Sequence, residues 1–257
     1  MLRSAKLTNE RYARHITLDG FGEAGIEALR QAHVLIVGVG GIGGHVALAL
    51  AAAGVGNLTL ADFDRIDLTN LARQTLFSAS DIGHPKVEIA ATVIRERCPD
   101  CSVETLDERI DEFMLAERFN SVTCVADASD NFATRFAINR AAVAHSIPLI
   151  SGSAIRWEGQ VALFGPHYEQ DPCYACVYSA DDESLEDCQG AGVLASVPGT
   201  IGQFMATEVL AYLSGQTRTP AMTVWDARAG RMTQLALNKR ADCPVCSHLS
   251  SHEVQTQ

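Results

Sequence analysis

Short apolar runs alternate with longer amphipathic stretches through the first three fifths of the chain, a rhythm that predicts strands alternating with helices. Val34-Leu35-Ile36-Val37 is the first such run, and it breaks into Gly38-Val39-Gly40-Gly41-Ile42-Gly43-Gly44. A helix-forming stretch over 45–53 follows and stops at Gly54, so the segment reads as strand, glycine turn, helix. A second run, Leu58-Thr59-Leu60-Ala61, ends in Asp62-Phe63-Asp64, and the strand-helix-strand unit implies a parallel pair with a right-handed crossover. Helices are predicted over 87–97, 112–119 and 132–144, and strands over 103–106, 122–126 and 148–151.

Beyond Ser151 the pattern changes to strand-like segments at 160–164, 223–226 and 232–237 around one long helix over 202–213. The expected fold is α/β: a Rossmann-like nucleotide-binding sheet, parallel in its N-terminal half and extended by antiparallel strands. Linker-like composition and internal repeats are absent. A single domain over 7–247 is therefore expected, with the nucleotide-binding half at about 30–150 and the extension at about 151–247.

The chain has 257 residues, 47% hydrophobic and 20% charged, enough to bury a large core. A net charge of −11 argues against a nucleic-acid groove and against binding to an anionic membrane surface. No stretch approaches the roughly 18 apolar residues of a membrane helix, and the first residues lack a signal-peptide core. A cytoplasmic location is expected.

Gly38-x-Gly40-x-x-Gly43 matches the dinucleotide fingerprint, whose glycines let backbone amides at a helix start approach phosphates. Asp62, about 20 residues on at the end of the next strand, is placed to accept hydrogen bonds from ribose hydroxyls. The segment from Asp62 to Gln74 then gathers Asp64, Asn70 and Arg73 beyond a strand's carboxyl end. Arg73 can grip phosphate with its planar guanidinium, and Lys86, after Gly83-His84-Pro85, supplies a second cation. At the end of another predicted strand stands Asp127-Ala128-Ser129-Asp130-Asn131, where a carboxylate can hold Mg²⁺ beside substrate phosphates. The competing role for Asp130 is as N-cap of the helix beginning near Phe132.

Of eight cysteines, Cys173-x-x-Cys176 and Cys243-x-x-Cys246 suit a closed four-thiolate Zn²⁺ site that ties the tail to the body. Redox disulfides are the alternative for these pairs, disfavoured in a reducing compartment. Cys98, Cys101 and Cys124 are assigned no chemical role, and Cys124 falls within a predicted buried strand, where packing is expected.

Arg11-Tyr12-x-Arg14, the Gly38 to Gly43 loop, Asp62-x-Asp64, Asn70-Leu71-x-Arg73-Gln74, Lys86, Asp127-x-x-Asp130-Asn131, Ser151-Gly152-x-Ala154 with Gly159-Gln160, and the two cysteine pairs occur in this order. The chain resembles the MoeB/ThiF family, bacterial relatives of the ubiquitin-activating enzymes, from about Leu7 to Ser247, and looks closest to its MoeB side. That resemblance implies an enzyme, a nucleotidyltransferase that uses ATP and Mg²⁺ to adenylate the terminal glycine carboxylate of a ubiquitin-like sulfur-carrier protein of MoaD or ThiS type ending in Gly-Gly. Molybdopterin and thiamine biosynthesis are the implied settings.

Carried over by position, backbone around Gly41 would contact ATP, Asp62 the ribose, Asn70, Arg73 and Lys86 the phosphates, and Asp130 the Mg²⁺. Arg14 would reach the γ-phosphate in the neighbouring subunit, since the family works as a homodimer. Cys188 matches a cysteine that, in parts of the family, attacks the adenylate or carries a persulfide. That gives an alternative in which activation is followed by covalent sulfur transfer through Cys188, in tRNA thiolation or secondary metabolism. Because the chain ends soon after Cys246, no appended rhodanese domain is expected, and sulfur would come from a separate donor protein, a cysteine desulfurase or rhodanese. Departures from the family pattern are His15, Ala128, Ser129 and the end of the glycine loop in Gly44-His45; none removes a charge the chemistry needs. Two rivals remain: an NAD-dependent oxidoreductase, motivated by the glycine loop and Asp62, and a scaffold that binds a ubiquitin-like tail without adenylating it.

Overall fold

The computed structural model describes residues 10–110, 112–179, 192–216 and 219–249, with the backbone alone at 112 and 113. Eight strands form one sheet: β1 (His33–Val37), β2 (Asn57–Ala61), β3 (Ser102–Leu106), β4 (Cys124–Asp127), β5 (Leu149–Ile155), β6 (Glu158–Phe164), β7 (Ala221–Asp226) and β8 (Arg231–Ala236). Their order is β3-β2-β1-β4-β5-β6-β7-β8, parallel from β3 to β5 and antiparallel from β5 to β8. The expected parallel half and its antiparallel extension are both present.

The helices are α1 (Ala13–Ile16), α2 (Gly22–Gln31), α3 (Gly43–Ala53), α4 (Lys86–Arg97), α5 (Glu112–Phe119), α6 (Phe132–His145), α7 (Tyr174–Val177) and α8 (Ser196–Leu213). β1 explains why its run is apolar without alternation. Val34 and Ile36 join the core formed with α3, α4 and α8, whereas Leu35 and Val37 join the core formed with α5 and α6. A parallel strand covered on both faces has no solvent side, and each fully buried Val, Leu or Ile is worth roughly 1.5–3 kcal/mol.

α8 begins at Ser196, earlier than the 202 expected from its pattern. Pro198 sits in the first turn, where its missing N–H has no intrahelical partner to lose, so proline there starts the helix and does not break it. Among the described residues, no helix is long and apolar enough to cross a membrane.

Strand order reverses between β1 and β4, with β2 on the far side of β1. The loops leaving these two strands therefore diverge, and a crevice opens beyond their carboxyl ends.

Candidate functional site

A cavity of about 850 Å³ occupies that crevice. Gly38 leaves β1 with φ +84°, and a Cβ there would stand 2.6 Å from Ala128 O, so only glycine lets the β1 and β4 loops meet. Gly40 and Gly41 line the cavity. Asp62 ties the glycine loop to the end of β2: its Oδ2 accepts from Val39 N at 2.7 Å and its Oδ1 from Asp64 N at 2.9 Å. Burial raises the Asp62 pKa above its ordinary value, opposed by the nearby Lys86 charge and by the two amide hydrogen bonds.

Asp64, Asn70, Arg73 and Lys86 stand on the same wall. Lys86 opens α4, and Lys86 N donates to Asp64 O at 3.1 Å, pinning the helix start against the end of β2. Its ammonium, 6% exposed, donates to Asp64 Oδ2 at 2.7 Å. Asn70 Oδ1 accepts from Asp67 N at 3.3 Å within a short 3-10 turn, and Arg73 Nη1 donates to Thr69 O at 2.9 Å. That exposed carbonyl is a weak anchor, so Arg73 can be drawn to an anion.

Across the crevice, Asp127 is fully buried: Oδ1 accepts from Ser129 N and Ser129 Oγ, and Oδ2 from Ser151 Oγ. Asp127 thus sets the loop that presents Asp130. The expected competing role of Asp130 as a helix cap is corrected here: Asn131 caps α6, its Oδ1 accepting from Thr134 N at 2.9 Å. Asp130 is exposed on the cavity wall, with Asn131 Nδ2 a distant 3.5 Å from its Oδ1.

Cys173, Cys176, Cys243 and Cys246 converge on the far side of α6, all buried, with their sulfurs within 4.8 Å of one another. Neighbouring Sγ···Sγ separations are 3.9, 3.6 and 3.5 Å. A tetrahedron with Zn–S bonds of about 2.3 Å has edges of about 3.8 Å, so the four thiols fit that ion, whereas disulfide sulfurs would lie about 2 Å apart. The cluster drives Cys173 up and lowers Cys176 to about 4, chiefly through the hydrogen bond between these two, with Arg240 N also donating to Cys176 Sγ. Asn139, wholly buried, braces the first pair: its Nδ2 approaches Cys173 Sγ at 3.7 Å and its Oδ1 accepts from Tyr174 N at 2.8 Å.

The profile of the ThiF family matches residues 12–245. The chain belongs to the ThiF family. Within it, this ThiF chain is 39% identical over 238 residues to the molybdopterin-synthase adenylyltransferase of Escherichia coli K12, covering 92% of this chain and 95% of that one. It is equally 39% identical over 238 residues to the sulfur carrier protein ThiS adenylyltransferase of the same strain, covering 92% and 94%. The crystal structure of E. coli MccB with ATP shares the fold, with a TM-score of 0.80 at 24% identity over 93% of this chain and 74% of that one.

Two residues singled out in this ThiF chain are not gathered at the cavity, and a third lies outside the described residues. Gly43 opens α3 and does not line the wall. Arg14 is exposed on α1, away from the cavity of its own chain. Cys188 lies outside the described residues.

Arg135 and Arg109 line the cavity without having been anticipated, and Gln74, quoted only as part of the family motif, lines it too. Arg135 is 5% exposed, donating through Nη2 to Ser129 O and to Gly152 O at 3.2 Å, which joins the β4 loop to β5. Gln74, 4% exposed, has an Oε1 without a hydrogen-bond partner. Arg109 covers the Phe63 ring at 4.6 Å. In sequence, Arg135 and Arg109 look like any helix or loop cation; only the Gln74 position, directly after Arg73, offered a signal.

Proposed function

We propose that this ThiF-family chain is an ATP-dependent adenylyltransferase that activates the C-terminal glycine carboxylate of a ubiquitin-like sulfur-carrier protein of MoaD or ThiS type. The observation that carries the reading is the convergence of Arg73, Lys86 and Asp130 on one cavity beside the glycine loop. Hydride transfer has no use for two cations and a carboxylate gathered beside the glycine loop.

The carrier's carboxylate oxygen attacks the α-phosphorus of ATP in line, the bond to the β-phosphate oxygen breaks, and pyrophosphate leaves with its electron pair. Backbone amides at Gly40 and Gly41 approach the phosphates where α3 begins. Asp62 accepts hydrogen bonds from the ribose hydroxyls with lone pairs that Val39 N and Asp64 N leave open. Lys86, fixed by Asp64, and Arg73, freed from Thr69 O, offset the charge that grows on the leaving pyrophosphate. Asn70 and Asn131 add amide hydrogen bonds at the rim. Asp130 would hold Mg²⁺, which when bound neutralises phosphate charge.

In a homodimer, Arg14 of one copy serves the cavity of the other, consistent with its exposure away from its own. Zn²⁺ on the four thiolates is structural. A separate donor protein then converts the acyl-adenylate to the thiocarboxylate.

Exchange of radiolabelled pyrophosphate into ATP, run with MoaD-type and ThiS-type carriers ending in Gly-Gly, tests this. Exchange that depends on one carrier supports the reading and assigns molybdopterin or thiamine biosynthesis, between which two equally similar relatives do not choose. ATP binding without exchange for any carrier defeats it.

A further inference from the structure

At the amino ends of the strands, away from the nucleotide cavity, lies a third Cys-x-x-Cys pair, Cys98-Pro99-Asp100-Cys101, between α4 and β3. Cys101 N donates to Cys98 O at 3.0 Å, closing a four-residue turn. Such a turn keeps its end Cα atoms within about 7 Å, the span a disulfide bridges. Both thiols are free. They face a second cavity, of about 510 Å³, which gives small molecules a route to them.

The two sulfurs differ in surroundings. Arg11, from the segment before α1, reaches across to this turn: its Nη2 donates to Arg97 O at 3.2 Å and to Cys98 Sγ at 3.3 Å. The guanidinium holds the Cys98 sulfur in place beside the cavity. Cys101 touches Ser102 O at 3.8 Å instead, and burial pushes its thiol up to about 12. One thiol is set to attack and its neighbour to resolve.

We infer that Cys98 and Cys101 are a redox-active dithiol that closes to an intrachain disulfide when a peroxide enters the second cavity. The Cys98 thiolate attacks one peroxide oxygen and the O–O bond breaks. This leaves a sulfenic acid on Cys98 and a hydroxide that takes a proton from solvent. Cys101 then rotates off Ser102 O and its sulfur attacks the Cys98 sulfur. The S–S bond forms as hydroxide departs, carrying off the Cys101 thiol proton as water. Two electrons pass from the dithiol to the peroxide, and a dithiol reductant returns them.

Brief treatment of the folded full chain with stoichiometric hydrogen peroxide, alkylation of remaining thiols and tryptic mapping test this, because peptide 98–109 holds both sulfurs and no zinc-cluster cysteine. The expected result is a 98–109 peptide that escapes alkylation, lacks two hydrogens and recovers with dithiothreitol. Cys101→Ser should leave a sulfenic acid on Cys98 that dimedone traps. Arg11→Gln, which removes the guanidinium that positions the Cys98 sulfur, should slow the reaction, and Arg11→Lys, which keeps a cationic donor there, should recover it in part. Full alkylation of 98–109 under a dose that oxidises other thiols of the chain overturns the proposal, as does Cys101 oxidising at the wild-type rate in Cys98→Ser.

Discussion

Lys86 Nζ stands 2.7 Å from Asp64 Oδ2, and only the carboxylate half of that pair meets solvent, at 48% exposure against 6% for the lysine. Asp64 is therefore the counter-charge that lets an ammonium remain buried at the cavity wall. Asp64→Ala leaves the cation without its carboxylate. Breaking a buried pair costs about 3–5 kcal/mol, and the exposure of this carboxylate reduces the cost to about 1–3 kcal/mol, roughly 3–10 °C in melting temperature. Lys86→Met removes charge and penalty together, so it should melt near wild type yet lose pyrophosphate exchange. Thermal scans beside exchange assays check both, and wild-type exchange in Lys86→Met would take Lys86 out of the mechanism.

Arg73 contributes nothing comparable to folding, because its side-chain hydrogen bond goes to the exposed Thr69 O. Arg73→Ala should lower exchange by about 10²–10³-fold with the melting curve unmoved. Arg73→Lys should recover only part, since an ammonium cannot span two phosphate oxygens. A parallel fall in stability would show that Arg73 acts on the fold.

Zinc and Asn139 are coupled. Cys243→Ser should abolish bound zinc and lower the melting temperature. Asn139→Ala removes the Nδ2 contact to Cys173 and the acceptor for Tyr174 N, so zinc affinity should drop about 10–100-fold while the metal still binds at saturation. Metal analysis with chelator competition reads both, and zinc-free protein with wild-type melting would discard the structural site.

Asp62 gives a pH signature. Its folded pKa is raised above the ordinary 3.8, so the folded state holds this proton more tightly than the unfolded chain. Its contribution to stability is then fully present below 3.8 and lost as pH rises through the folded pKa. Urea unfolding of wild type against Asp62→Asn should show wild type gaining relative stability as pH falls across that window. Nucleotide affinity should weaken over the same window, as the protonated carboxyl accepts ribose hydroxyls poorly. A stability difference independent of pH would contradict the shift.

Much of the fold was legible because each local signal agreed with the tertiary result. The runs at 34–37 and 58–61 became β1 and β2, and the change of pattern after Ser151 became the antiparallel half. α2 went unnoticed, and α8 was foreseen too short because Pro198 reads as a breaker when its place in the first turn is unknown. At the cavity, Asp62, Arg73 and Asp130 were legible from their position after predicted strands, and Lys86 from its place after Gly83-His84-Pro85. The buried Arg135 and the Asp64–Lys86 pairing were not, because side-chain partners 17 and 22 residues apart carry no periodic trace.

By itself the sequence determined the strands and most of the longer helices, which loops hold glycine, and that four cysteines come in two pairs. Those are local properties: apolar spacing, turn chemistry and ligand type act within a few residues. Tertiary structure alone decided that Asn131 and not Asp130 caps α6, that Lys86 is buried against Asp64, and that Arg11 reaches Cys98 across 87 residues of chain. Each depends on where a side chain points once distant elements pack, and the free energy of that choice lies in burial and charge pairing that no short stretch of sequence contains.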